Sequence, residues 1–256
     1  MIPVLSIIIP CYNHGIYLID AVQSVECYPN KQDYEIIIVN DGSSDTDTIQ
    51  ILNTLSQKGY TVLHQPNLGL SAARNNGIRI SKGIYLLILD ADNKIRPSYI
   101  HKGIEVLDAN HEVGIVYGDC QFFGEIEKKM TQGKFSKKKI LIENYIDACV
   151  IMRKKIWEEA NGYDTAIPEI SDWDLHLTAL SNNWSFHYIP EILFDYRVRS
   201  DAMSRTHKKH DEHKNYIAKK HSLLYRNAFL ETITIKARIM SVLKDVWEKL
   251  KGNPQY

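Results

Sequence analysis

The feature that most constrains this chain is a series of short apolar runs with no polar alternation. They are Val4–Ile9 (VLSIII), Glu35–Val39 (EIIIV), Tyr60–Leu63, Ile84–Leu89 (IYLLIL) and Val113–Tyr117. A strand with one wet face alternates with a period of two. A run that is apolar throughout is buried on both faces, as parallel strands covered by helices are. Helical spacing fills the gaps. Leu18, Ala21, Val22 and Val25 share one side of Tyr17–Val25, and Ile49, Leu52 and Leu55 recur through Thr46–Gln57. Ser71–Ile80 and Pro97–Leu107 follow, with Pro97 suited to a first helical turn. Alternating β and α predicts an α/β fold: an open, mostly parallel, doubly wound, Rossmann-like sheet with helices on both faces.

After Tyr117 the pattern changes. Gly118–Lys139 contains Gly118, Gly124, Gly133 and six lysines, and is expected as an irregular exposed hairpin or loop. Ile146–Met152 is expected as a strand, Lys154–Ala160 and Trp173–Leu180 as helices, and Ser185–Ile189 and Ile192–Val198 as short strands. Helices are expected from about Lys208. The expected organisation is a body of residues 1–205, in halves 1–117 and 118–205, with a helical extension over 206–256.

Thirty-one basic and 31 acidic residues balance over the chain, which argues against nucleic acid as a partner, since phosphate neutralisation needs a basic surplus. The extension is different. Residues 201–256 hold 12 Lys/Arg against 6 Asp/Glu. Within it Ile239, Leu243, Val246 and Leu250 form a stripe along Ile233–Leu250. Such a stripe packs on the body or on a second copy as a homodimer, or lies on a membrane surface. The four cysteines, Cys11, Cys27, Cys120 and Cys149, have neither CxxC nor zinc-ligand spacing and are expected as reduced thiols. No leader and no run of the ~20 apolar residues that span a bilayer is visible. The expected location is cytoplasmic, with peripheral contact at the inner face of the cell membrane left open.

In open α/β sheets ligands bind beyond the carboxyl ends of the strands. Those ends carry Pro10-Cys11-Tyr12-Asn13-His14, Asn40-Asp41-Gly42-Ser43-Ser44-Asp45, His64-Gln65-Pro66-Asn67-Leu68-Gly69 and Asp90-Ala91-Asp92-Asn93. Any one of these could be a turn, because Asp and Gly favour turns. Four polar tips on one rim point to a ligand site. Asp90 and Asp92, one residue apart after a buried strand, suit a hard cation, Mg²⁺ or Mn²⁺. Arg74, early in the third helix, either forms a surface ion pair or meets a base carbonyl or phosphate. Asp172 either caps the helix that follows or acts as a base. Trp173 is a core residue or an apolar platform for a sugar face.

The ordered set SIIIPCYN, IIIVNDGSSD, NLGLSAARNNG, YLLILDADN, GYD and SDWDL resembles the family 2 inverting glycosyltransferases with the GT-A fold. The resemblance runs from about Ser6 to Arg205. It implies a metal-dependent transfer of a sugar from a nucleotide-sugar, usually a UDP-sugar, to a hydroxyl of a glycan or lipid-linked acceptor. It implies that Pro10 and Tyr12 flank the base and ribose, and that Asp41 hydrogen-bonds uracil. Arg74 would contact base or diphosphate, and Asp90 with Ala91 would hold the ribose or metal shell. Asp92 would bind Mn²⁺ or Mg²⁺ directly, Asp172 would be the general base, and Trp173 would meet the acceptor.

Two positions depart from the family pattern. Ser171 stands where an acid is common, and Arg199 stands where many relatives have a His near the metal or diphosphate. Arg199 can pair with phosphate, and His207 is either a solvated side chain of the basic tail or a substitute ligand, the former being the preferred reading. Ser200–Ser204 could close over the donor. A phosphatase with a DxD nucleophile is disfavoured because that motif ends a first strand. A dinucleotide oxidoreductase is disfavoured because Pro10–Gly15 lacks GxGxxG. The remaining alternative is a nucleotide- or carbohydrate-binding pseudoenzyme.

Overall fold

The computed structural model describes residues 2–200 and 210–230. The chain divides into two compact units, Met1–His210 and Asp211–Tyr256. In chain order the first unit contains β1 (Leu5–Cys11), α1 (Gly15–Glu26), β2 (Tyr34–Asp41), α2 (Thr46–Gln57), β3 (Thr61–Gln65) and α3 (Leu70–Ile80). Next come β4 (Tyr85–Ile88), β5 (Lys94–Ile95), α4 (Pro97–Ala109), β6 (Val113–Gly124), β7 (Lys128–Met130) and α5 (Lys137–Ile140). It ends with β8 (Ile151–Arg153), α6 (Lys154–Glu159), a 3-10 turn at Pro168–Ile170, α7 (Ser171–Ser181) and β9 (Ser185–Val198). In the second unit, α8 (His210–Lys220) and a helical stretch at 222–230 are described. The Ile233–Leu250 stripe, His207 and residues 201–204 lie outside the described residues.

The sheet order is β3-β2-β1-β4-β8-β6-β9-β5, with β7 paired to β6. The first four strands are parallel, and the apolar runs of β1, β2 and β4 are buried as strands of a covered parallel sheet are, while β3 is a more exposed edge strand. Leu5, Ile7 and Ile9 face a core shared with Leu18, Val22 and Val25 of α1 and Leu52 of α2. Ile8 and Val39 face the opposite way, against Gly77 of α3. A Cβ at Gly77 would lie 2.6 Å from Ile8 and 2.9 Å from Val39. Both faces are therefore covered. The second half is mixed: β8 runs antiparallel to both β4 and β6.

Three expected elements differ. The strand expected to end at Tyr117 continues to Gly124 and pairs with β7, so the lysine-rich stretch begins as a hairpin. The two short strands after Ser185 are one. The register steps from Gly118↔Ile189 to Asp119↔Ile192, which loops out Pro190, a residue with no N–H for the ladder. Ile146–Met152 is strand only from Ile151. Asp147 prevents an earlier start: its Oδ1 accepts the Cys149 N–H at 2.8 Å, an Asx-type turn that competes with strand pairing.

Tyr99 of α4 secures that turn. Its hydroxyl lies 3.0 Å from the carbonyl oxygens of both Val116 and Cys149, and accepts the Ile151 N–H at 3.2 Å. Tyr99→Phe leaves these buried groups unmet, and the expected loss of stability is about 1–3 kcal/mol. Chemical denaturation should show a lower midpoint with an unchanged slope.

Candidate active site

The strand tips are held in register by side chains. The Asn13 Oδ1 accepts the N–H groups of Ser44 and Asp45 at 2.8 and 3.0 Å, which ties the β1 tip to the β2 tip. Asp41 ties β2 to the β3–α3 loop. Its Oδ1 accepts from Gln65 Nε2 at 2.7 Å and the Leu68 N–H at 2.8 Å, and its Oδ2 accepts the Gly69 N–H at 2.9 Å. Gly42 permits this crossing. Its φ is +71°, and a Cβ there would lie 2.5 Å from the Asn67 nitrogen.

The Asp41 clamp fixes the start of α3, and α3 carries three polar side chains into the interior. Ser71 donates to the Ser171 hydroxyl at 3.0 Å. Arg74, 3% exposed, lies with its Nη2 3.0 Å from Asp90 Oδ1 and its guanidinium 5.4 Å from the centre of the Tyr163 ring. Asn75 Oδ1 accepts from Trp157 Nε1 and the Tyr163 N–H, and its Nδ2 donates to the Tyr163 carbonyl. These contacts join the first half of the body to the second.

A cavity of about 910 Å³ opens where the halves meet. Pro10, Tyr12, Asp41, Arg74, Asp90, Ala91, Asp92, Asp172 and Arg199 all line it. Trp173 does not. It is 3% exposed and its Nε1 donates to the Ile140 carbonyl at 2.6 Å, so it is a core residue with no face to offer a sugar. Ser171, where an acid was expected, is fully buried and bonded to Ser71 and the Pro168 carbonyl, a tie between α7 and α3. Asp172, one residue on, accepts from Asn144 Nδ2 at 3.0 Å.

Arg199 reaches back to the β4 tip. Its Nη1 is 3.1 Å from Asp92 Oδ2, and its Nη2 donates to His14 Nε2 at 3.0 Å. Arg197 donates through Nε to the Asp92 carbonyl at 3.1 Å and lies over the rings of Tyr17 and Phe123. Burial, then the neighbouring Asp90 carboxylate, raises Asp92 to about 6. A buried carboxylate made basic by a second carboxylate is relieved by a cation, so Asp90 and Asp92 fit a hard divalent ion. Among the described residues no cluster of three or more His, Cys, Asp or Glu could hold one. The protein would therefore supply two carboxylates, with phosphate oxygens and water completing the shell.

Asn144 and Asp147 line the cavity and were not among the expected site residues. Asn144 orients Asp172. Asp147 is raised to about 7, first by burial and then by Asp90. Its signal was a lone carboxylate interrupting the apolar run of NYIDACV. The cavity-lining thiols are not activated: burial pushes Cys11 up to about 11 and Cys120 up to about 12. No helix among the described residues is long and apolar enough to cross a membrane.

The sequence profile described as "Glycosyl transferase family 2" matches residues 6–160. An uncharacterised glycosyltransferase of Methanocaldococcus jannaschii is 26% identical over 86% of this chain and 79% of its own length. Chondroitin synthase of Escherichia coli is 24% identical over 98% of this chain but only 37% of its own length. Among solved structures, TarS residues 1–349 of S. aureus in complex with UDP-GlcNAc superposes with a TM-score of 0.70. It is 16% identical and covers 86% of this chain and 66% of that one. The mannosyltransferase PcManGT of Pyrobaculum calidifontis, in complex with GDP-Man and Mn²⁺, gives 0.61 at 15% identity over 78% of this chain and 58% of that one. At these identities the structural likeness concerns the fold, which is GT-A.

One turn beyond Asp172, His176 is 1% exposed and its Nδ1 has no hydrogen-bond partner among the described residues. Burial lowers it from 6.5 to about 4. Between those values the unfolded chain takes up a proton that the folded chain refuses, so this contribution to stability falls as pH drops from 6.5 towards 4. The effect is about 2 kcal/mol at pH 5. His176→Phe removes it. Urea unfolding at pH 7 and pH 5 should show a smaller loss on acidification in the variant than in wild type.

Proposed function

The chain belongs to glycosyl transferase family 2 and is a glycosyltransferase that uses a nucleotide-sugar donor, and from that premise we propose the following reaction. The donor is a UDP-sugar, the acceptor group is a hydroxyl of a glycan or lipid-linked saccharide, and transfer is metal-dependent with inversion at C1. The observation that carries this is the convergence of Asp41, Arg74, Asp90 and Asp92 with Asp172, across the halves, on one cavity.

Pro10, Tyr12 and Asp41 line the part of the cavity nearest the β1 and β2 tips, where the base and ribose would sit. Asp41 spends three lone pairs on its loop, and a carboxylate has about four. One remains for a uracil N–H. Arg74 and Arg199 face the diphosphate region as cationic donors. Asp92, with Asp90, would hold the divalent ion, which supplies neutralisation of the leaving diphosphate.

Asp172 is the base. Asn144 holds one of its oxygens, and the other takes the proton from the acceptor hydroxyl as that oxygen attacks C1. The C1–O bond to the diphosphate breaks on the opposite face. One displacement inverts C1 and needs no covalent intermediate, in keeping with the raised Cys11 and Cys120 thiols. The second unit remains a candidate for homodimer or peripheral membrane contact.

Two variants test the assignment. Asp172→Asn should lower turnover at least 100-fold, within the ~10²–10⁴ range of a positioned base, while UDP binding measured by calorimetry persists. Unchanged turnover would refute the base. Asp92→Ala should abolish the Mn²⁺-dependent part of UDP binding. UDP binding without turnover of any UDP-sugar by wild type would favour the pseudoenzyme alternative.

A further inference from the structure

The two carboxylates at the β4 tip are not bare. Asp90 is paired with Arg74 at 3.0 Å and Asp92 with Arg199 at 3.1 Å, and all four side chains line the cavity. The Asp92 and Arg199 side chains are both largely buried. Among the charges acting on Asp92, Arg199 contributes most to keeping it ionised. Arg199 therefore holds Asp92 in the form a cation needs, while standing at the oxygen a cation would take.

Two arginines at the end of β9 divide the work on the Asp90–Asn93 turn. Arg197 and Arg199 are two residues apart, so their side chains leave on one face. Both guanidinium groups lie over the Tyr17 ring, 4.4 and 5.3 Å from its centre. Arg197 grips backbone and amide: its Nε donates to the Asp92 carbonyl and its N–H to Asn93 Oδ1. Arg199 grips the carboxylate, Nη1 against Oδ2. The main chain is fixed on either side of Arg199. Val198 pairs with Gly124, and the Ser200 N–H donates to Glu125 Oε1 at 2.8 Å. The Arg199 side chain is thus the part of this contact that can change partner while the turn stays in place.

A guanidinium and a divalent cation drawn to one carboxylate repel each other at short range. Parting a buried ion pair without replacing the lost partner is costly. A diphosphate supplies a replacement, because it pairs with the arginine fork as a carboxylate does. A nucleotide therefore eases the release of Asp92, and by reciprocity the cation favours the nucleotide. The departure of position 199 from the family's histidine fits this. A histidine can ligate a cation, whereas an arginine stays charged and can only compete with it or bind the phosphate.

We propose that Arg199 is a built-in counter-ion that makes cation binding at Asp92 conditional on the nucleotide, pairing with Asp92 in the nucleotide-free protein and with the diphosphate in the complex. The proposal rests on the nucleotide-sugar and metal reading above.

Mn²⁺ titration of the full chain, followed by electron paramagnetic resonance of the free ion with and without saturating UDP, tests this. Arg199→Gln keeps a hydrogen-bonding side chain and removes the charge. Without nucleotide it should bind Mn²⁺ about fivefold or more tightly than wild type. At saturating Mn²⁺ the same variant should bind UDP about fivefold or more weakly, measured by calorimetry. The opposite signs are the signature, since a residue that only supports the fold would weaken both. Arg199→Lys, which keeps the charge, should show no gain in nucleotide-free Mn²⁺ affinity. Arg199→Met, with an apolar stem to lie over Tyr17, carries the same expectation as Arg199→Gln should that variant not fold. Adding Asp92→Ala to the uncharged variant should remove the gained affinity; a gain that persists overturns the proposal. Nucleotide-free Mn²⁺ affinity that is unchanged or reduced in the uncharged variants also overturns it, with Mn²⁺-dependent UDP binding by wild type still standing. No effect of Mn²⁺ on UDP binding by wild type overturns the metal reading and this proposal with it.

Discussion

The body depends on one buried amide. Asn75 is 5% exposed and its side chain makes three hydrogen bonds to Trp157 and Tyr163. Helix α3 must press onto the sheet through Gly77, which leaves its polar residues facing the interior. A polar group there is costly unless bonded. The second half of the body supplies the bonds, and Gly162 lets the chain come close: with φ at +97°, a Cβ at that position would lie 2.8 Å from Asn75 Oδ1. Satisfying α3 therefore sets one half of the cavity against the other. Ser71–Ser171 repeats the tie one turn earlier, and Arg74 lies between the two.

The cavity's electrostatics follow from that closure. Two carboxylates at the β4 tip each meet a guanidinium, Asp90 with Arg74 and Asp92 with Arg199. Even so, Asp92 is raised to about 6 and Asp147 to about 7, because burial and neighbouring acids outweigh the available cations. Functional sites concentrate perturbed acids of this kind in a cleft. By contrast, the Asp119 carboxyl is only 1% exposed but is satisfied by the Tyr188 hydroxyl, the Gln132 N–H and Lys129. It serves the β6–β7 hairpin.

The parallel half was legible because period and burial are both local signals. Continuous apolar runs became β1, β2 and β4, and the polar tips after them became the rim. The remainder was hidden for identifiable reasons. The Asx turn at Asp147 lies within a run whose composition favours a strand. The bulge at Pro190 made one strand resemble two. Trp173, next to Asp172, invites a binding role, but residues adjacent on a helix point in different directions. Here one faces the cavity and the other the core. Asn75 and Gln65 have no motif of their own: Asn75, buried, is defined by partners 82 to 88 residues away, and Gln65, half-buried, by the clamp it completes.

The Asp90–Asn93 turn is secured from both sides. Asn93 N–H bonds the Asp90 carbonyl, Asn93 Oδ1 accepts the Arg197 N–H, and β5 immediately pairs with β9. Strand β4 fixes the turn from before and the β5–β9 ladder from after. Its two carboxylates are thus ordered before any ligand arrives. Association with them therefore forfeits little chain entropy.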